Sequence, residues 1–192
     1  MIELKEHATL QDIQCYVTQL EKERGFTHES VLQKCLMLGE EVGECYEQIS
    51  AKDIAKVADE LADICIYVCA IANRLSINLE DACRKQDVQE LRFTHVQYHV
   101  SVQDQKSIEQ RGLLVGQAYG RLCKVIRKQE KLKIDPYSQF STAEDSLVAM
   151  FYAVCALANA LAINLETAFR DKEEKNKKRV WTVLTTQEKT VA

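Results

Sequence analysis

The sequence predicts an all-α protein, a helical bundle of two tandem related helical units. Three observations carry the prediction. The 192 residues contain only 6 Gly and 1 Pro, too few for the turns of an all-β fold. Apolar residues recur with a period near 3.6 along most of the chain. The chain also repeats itself. Between Val68–Arg84 and Val154–Arg170, 12 of 17 positions are identical at a constant offset of 86. Upstream, LGEEVG (38–43) aligns with VGQAYG (115–120) at an offset of 77. Two blocks matching in the same order read as two copies of one unit rather than as chance likeness of Ala-rich helices.

The elements follow in order. Thr9 precedes Leu10, Ile13, Val17 and Leu20, the start of a helix that ends near Gly25. Further helices run from about Glu29 to Ser50, Ile54 to Leu75 and Leu79 to Leu91. In the second copy they cover about Ser107–Lys131, Ser141–Ala162 and Leu165–Arg179. Ser76-Ile77-Asn78 and Ala162-Ile163-Asn164 are matching breaks, each with an Asn as N-cap. In Thr94–Val102, Val96, Tyr98, Val100 and Val102 alternate, and Val180–Thr186 is rich in Val, Thr and Trp. Both read as short extended segments able to pair. The predicted boundaries are a first unit over 1–93, an extended linker over 94–106 and a second unit over 107–192.

Composition narrows the function classes. The net charge of −4 argues against a basic nucleic-acid binder. Residues 1–95 carry net −8 and residues 96–192 net +4, the asymmetry of a cation-binding half beside an anion-binding half. Eight cysteines without a CxxC pair or a nearby His read as small buried hydrophobes in a reducing compartment. The uncharged stretch Ser146–Leu165 has spanning length, but Asn159, Asn164 and its charged sister segment favour a bundle helix over a membrane span. The N-terminal residues lack the apolar core of a secretory signal, so a cytoplasmic location is expected.

The chemistry-bearing feature is a set of carboxylates. Glu40, Glu41 and Glu44 lie on the second helix, Glu60 and Asp63 on the third. Glu41/Glu44 and Glu60/Asp63 are i,i+3 pairs, so each pair shares a face. Acid pairs on helices are most often a solvated face. Here apolar residues interleave them, and two helices joined by a short link pack antiparallel, so the pairs can face each other. Carboxylates so crowded need a cation, and an all-oxygen set suits Mg²⁺, with Mn²⁺ as the alternative. In the second copy the five acids become Gln117, Ala118, Arg121, Ser146 and Ala149 while the scaffold residues stay. Joint loss of that kind marks a functional set.

EExxE followed sixteen residues later by ExxD, with the IY after it and the INLE turn, resembles the MazG-like all-α nucleoside-triphosphate pyrophosphatases. The resemblance covers about Thr9–Leu91 and, through the repeat, most of the rest; the chain then reads as two MazG-like units, the second with a degenerate metal site. It implies a Mg-dependent pyrophosphohydrolase that cleaves an NTP or dNTP to the monophosphate and pyrophosphate. It further implies Glu41, Glu44, Glu60 and Asp63 as metal ligands, and Glu40 as an accessory ligand or water-orienting group. Glu41 or Glu44 would be the proton acceptor, and Tyr67 would lie near the nucleotide. The basic Lys-x-x-x-Asn tail of the family is lost from the first copy, which has Gln86 and Glu90 there. It is present in the second as Lys172, Asn176, Lys177, Lys178 and Arg179. The tail reads as a phosphate clamp, and as an ordinary charged helix if taken alone. An active site shared between the halves follows, in a chain that resembles a fused dimer and could itself pair as a homodimer. The rival readings are a non-catalytic nucleotide-binding or regulatory protein of this family and a purely structural bundle. His95 and His99, about 13 Å apart along a strand, would not share a metal. Trp181 packs on the bundle or lies against a base.

Overall fold

Each long helix begins where the sequence supplies a cap. The computed structural model describes residues 3–85, 91–102, 104–132 and 141–181. Its elements are α1 (Leu10–Arg24), α2 (Val31–Ala51), α3 (Ile54–Arg74), α4 (Leu79–Arg84), α5 (Phe93–His99), α6 (Ile108–Gln129), α7 (Ala143–Ala160) and α8 (Leu165–Asn176). Thr9, Ser30, Ser107 and Thr142 open α1, α2, α6 and α7 with reciprocal capping boxes. Asp53, Asn78 and Asn164 cap α3, α4 and α8. Gly25 ends α1 in the left-handed region at φ 77°, a conformation that spares only glycine a Cβ clash.

The bundle has two helix pairs, α2 with α3 and α6 with α7, joined through α2–α6 and α3–α7 contacts. At the α2–α6 crossing two tyrosines reach over to the opposite backbone. Tyr46 donates to the Gly112 carbonyl at 2.9 Å and Tyr119 to the Cys35 carbonyl at 3.1 Å. Their hydroxyls occupy the space where a Cβ on Gly116 or Gly39 would stand. The core carries Leu38, Leu61, Ile64 and Val68 from one half and Leu122, Leu147, Phe151 and Val154 from the other. The eight cysteines are free thiols, six of them buried.

One polar network occurs twice. Gln14 Nε2 donates to Asn73 Oδ1 and the Ile77 carbonyl, its Oε1 accepts from Leu79 N, and Asn73 Nδ2 donates to the Gln14 carbonyl. Gln97 makes the same four bonds with Asn159, Ile163, Leu165 N and again Asn159. The partners are offset by 86 residues throughout. Ser76 and Ala162, at φ 55°, turn the chain into the left-handed region at the corresponding points.

This network corrects the extended reading of Thr94–Val102. Phe93, Val96 and Gln97 are buried together on one face of helix α5. The alternation of Val96, Tyr98, Val100 and Val102 hid a helical i, i+3, i+4 pattern whose third member is polar. Gln97 does for the second half what Gln14 of α1 does for the first, which requires α5 to be helical. Val180 and Trp181 form no strand; the rest of Val180–Thr186 and residues 86–90, with Gln86 and Glu90, lie outside the described residues. The predicted fourth helix is shorter than expected: α4 stops at Arg84, and Leu91 is non-helical, its carbonyl accepting from Leu10 N at 3.0 Å. Among the described residues no single helix is long and apolar enough to cross a membrane; the chain turns by 99° between α7 and α8.

Candidate active site

α2 and α3 are linked by two residues, Lys52 and Asp53, and so run antiparallel with their acid-bearing faces together. One carboxylate oxygen each of Glu41, Glu60 and Asp63 lies within 4.8 Å of the others. Glu60 Oε2 is buried without a hydrogen-bond partner. Burial raises the pKa of the Glu41 carboxyl to about 8, with Asp63, Glu44 and Glu60 adding repulsion. Burial also pushes up Glu60 and Asp63, against the pull of Lys172. Three all-oxygen groups in this space, one of them orphaned, fit a hard divalent cation such as Mg²⁺ or Mn²⁺. Glu44, one turn beyond Glu41, and Glu40 are exposed. Glu44 adds to the field on Glu41 and Glu60 without entering the tight cluster.

The second half delivers its basic tail here. α8 packs on α3, and the Lys172 ammonium, buried, pairs with Asp63 Oδ2. Burial opposes that charge, but the bond to Asp63 and the fields of Glu60 and Asp59 hold Lys172 above its usual range. Lys175 grips Asp59 at 2.7 Å and Arg24 of α1 grips Glu173 at 2.7 Å, fixing α8 on both sides.

These elements enclose a cavity of about 340 Å³. Glu41 and Asp63 line one end, with Asn176 and Arg179 beside them and Tyr67 farther along α3. Asn176 Oδ1 is buried without a partner. The structure thus brings Glu41, Glu60, Asp63, Tyr67, Lys172, Asn176 and Arg179 together. It does not bring Lys178, which lies in the turn beyond the end of α8, exposed and away from the cavity wall. His95 and His99 lie four residues apart on α5, where they share a helix face, but no third ligand joins them among the described residues.

Other cavity residues went unread in the sequence. Lys34, Glu21, Arg24, Phe26 and Met37 also line the cavity, Lys34 two turns of α2 away from Glu41, and Trp181, already read as packing on the bundle or against a base, lines it as well. Trp181 meets the Phe26 ring edge-on at 5.5 Å, with Arg24 and Arg179 over its own ring at 5.5 and 5.9 Å. A signal for Lys34 existed: it stands in register with Val31, Leu38 and Val42, the buried stripe of α2.

Residues 26–87 match the family described as the MazG nucleotide pyrophosphohydrolase domain. No curated protein and no solved structure gives a match. The matched segment is MazG-like, and its family points to nucleotide pyrophosphohydrolase chemistry in general. It spans α2 and α3 with all five acids.

Proposed function

We propose, for a chain that carries a MazG nucleotide pyrophosphohydrolase domain over residues 26–87, that this cavity hydrolyses a nucleoside or deoxynucleoside triphosphate to the monophosphate and pyrophosphate. The observation that carries the reading is the Lys172–Asp63 pair inside the Glu41–Glu60–Asp63 cluster. It joins a cation-binding set from one half to a phosphate-binding set from the other.

Glu41, Glu60 and Asp63 would hold Mg²⁺ or Mn²⁺, which when bound polarises the phosphate and acidifies a water. Glu44, beside the cluster but outside it, accepts the proton of the attacking water. The water oxygen bonds to the α-phosphorus as the bridging P–O bond breaks, and its electron pair leaves with pyrophosphate. Arg179 and Lys172 face the negative charge that grows on that leaving group. Asn176, buried with an open acceptor, orients a donor on the substrate or its hydration shell.

We also take the two halves as copies of one unit. The paired Gln14 and Gln97 networks support it, and they support a second unit that begins at α5 rather than at residue 107. On that view the chain carries internally the symmetric pairing that single-unit relatives would form between subunits.

The test is pyrophosphate release from a panel of NTPs and dNTPs with Mg²⁺ or Mn²⁺. Turnover that vanishes in EDTA and returns with either ion supports the reading. Full activity in EDTA, or nucleotide binding without any pyrophosphate release, would sink it, the latter in favour of a non-catalytic nucleotide-binding protein.

A further inference from the structure

The far end of the cavity holds a buried ammonium that the proposed hydrolysis does not use. Lys34 and Glu41 both face the cavity from α2, seven residues apart, so about 10 Å of helix separates them. Asp63 and Ala70 mark the same span along α3. With the phosphates at the carboxylate end, the nucleoside must extend toward Lys34.

Lys34 is 3 % exposed. Its Nζ lies 2.7 Å from Glu21 Oε1 and also pairs with the Glu29 carboxylate. It stands 5.8 Å from the centre of the Phe26 ring and 5.9 Å from that of Tyr67. Arg74 fixes this end from behind, on Glu21 Oε2 at 3.2 Å and on the carbonyls of Glu29 and Phe26 at 2.9 and 3.1 Å. An ammonium has three protons. One is given to Glu29, while Glu21 Oε1 stands beside Nζ as an ion-pair partner but is buried without a hydrogen bond of its own, so both a donor and an acceptor are left for a ligand. A buried ion pair adds little stability over a packed apolar side chain. A fixed donor beside fixed acceptors, set between aromatic faces, is the arrangement that reads the edge of an unstacked base.

Resting on the proposed hydrolysis, we infer that Lys34 is the specificity-determining residue of the site. A proton of its ammonium is given to a ring nitrogen or carbonyl oxygen on the edge of the nucleobase. The Glu29 or Glu21 carboxylate accepts from the neighbouring N–H of the same edge. The base lies between Phe26 and Tyr67.

The experiment compares wild type with Lys34→Met, and with Lys34→Met/Glu29→Gln, which keeps the end near neutral should the single variant fold poorly. kcat/KM is measured across the common NTPs and dNTPs. Binding of nucleotides and of inorganic triphosphate is followed by the fluorescence of Trp181, the chain's one tryptophan. The ratio between best and worst base is expected to shrink about ten- to hundred-fold, the range of one charge-assisted hydrogen bond, while inorganic triphosphate, which has no base, keeps its affinity. An unchanged ratio, equal losses for every nucleotide and for inorganic triphosphate, or a wild type indifferent to the base would overturn the inference and leave the hydrolysis standing. A wild type that binds nucleotides selectively without cleaving them would fail the hydrolysis reading alone; base selectivity in binding then decides for or against Lys34. No binding of any nucleotide overturns both.

Discussion

Gln14 and Gln97 make the same hydrogen bonds in the two halves of the molecule, while Glu41 and its counterpart Ala118 have nothing chemical in common. The first half keeps five acids on α2 and α3. At the corresponding places on α6 and α7 stand Gln117, Ala118, Arg121, Ser146 and Ala149. Ser146 turns its hydroxyl to the Thr142 carbonyl of its own helix. The difference teaches which residues hold the fold and which serve the site. A buried amide at a helix break must have partners in both halves, because an orphaned backbone group costs free energy wherever it lies. Crowded carboxylates stand in the first half alone, where the proposed reading gives them a cation and a phosphate to meet.

The sharpest way to break that contrast is in the acids. Glu41→Gln or Asp63→Asn is expected to lower pyrophosphate release by more than about 100-fold, beyond the loss seen when a group one shell out from a metal is removed. Steady-state kinetics at saturating Mg²⁺ measure it, and activity near wild type in either variant would mean the cluster is an ordinary acidic patch.

Next come the second half's contributions. Lys172→Ala and Arg179→Ala should each reduce kcat/KM about ten- to hundred-fold, the worth of a charge-assisted bond to phosphate. Lys178→Ala, on an exposed side chain away from the cavity, should stay within about twofold, since solvated charges of this kind contribute little. Equal effects at Lys172 and Lys178 would reduce the basic tail to a diffuse field.

The shared scaffold should respond evenly. Gln14→Ala and Gln97→Ala each strand buried partners and are expected to destabilise by about 1–3 kcal/mol. Chemical denaturation of both variants tests this, and a loss confined to one half would argue against equivalent roles.

The smallest effect is in pH. Glu41, raised from 4.5 to about 8, binds its proton more tightly folded than unfolded. Its contribution is therefore complete at low pH and is lost as pH rises toward 8. Metal-free protein should melt a few degrees lower at pH 8.5 than at pH 6, with Mg²⁺ flattening the slope. A melting temperature in EDTA that rises with pH over this window contradicts a carboxylate cluster in need of a cation.

Much of this molecule was present in the sequence because it is local. Capping residues Thr9, Ser30, Asn78, Ser107 and Asn164 begin their helices by satisfying N–H groups within three residues of themselves. The i,i+3 spacing of the acids and the i,i+4 spacing of Lys172 and Asn176 set their faces by helix geometry alone. What is non-local had to wait for tertiary structure. α5 is helical because Gln97 must reach Asn159 and Leu165, more than sixty residues on, and no window around Thr94–Val102 contains those partners. Glu44 and Glu60 look equivalent in their motifs, but only the packing of α2 on α3 leaves one exposed and buries the other. The partners of Lys34 and Trp181 were not legible in the sequence, although Lys34 is in register with the buried stripe of α2 and Trp181 read as packing on the bundle or against a base. Lys34 is buried between Glu21, Glu29 and two rings, and Trp181 is held on the cavity wall by Phe26, Arg24 and Arg179. Burial and charge pairing are properties of the assembled bundle, and they decide which of many similar side chains can bind.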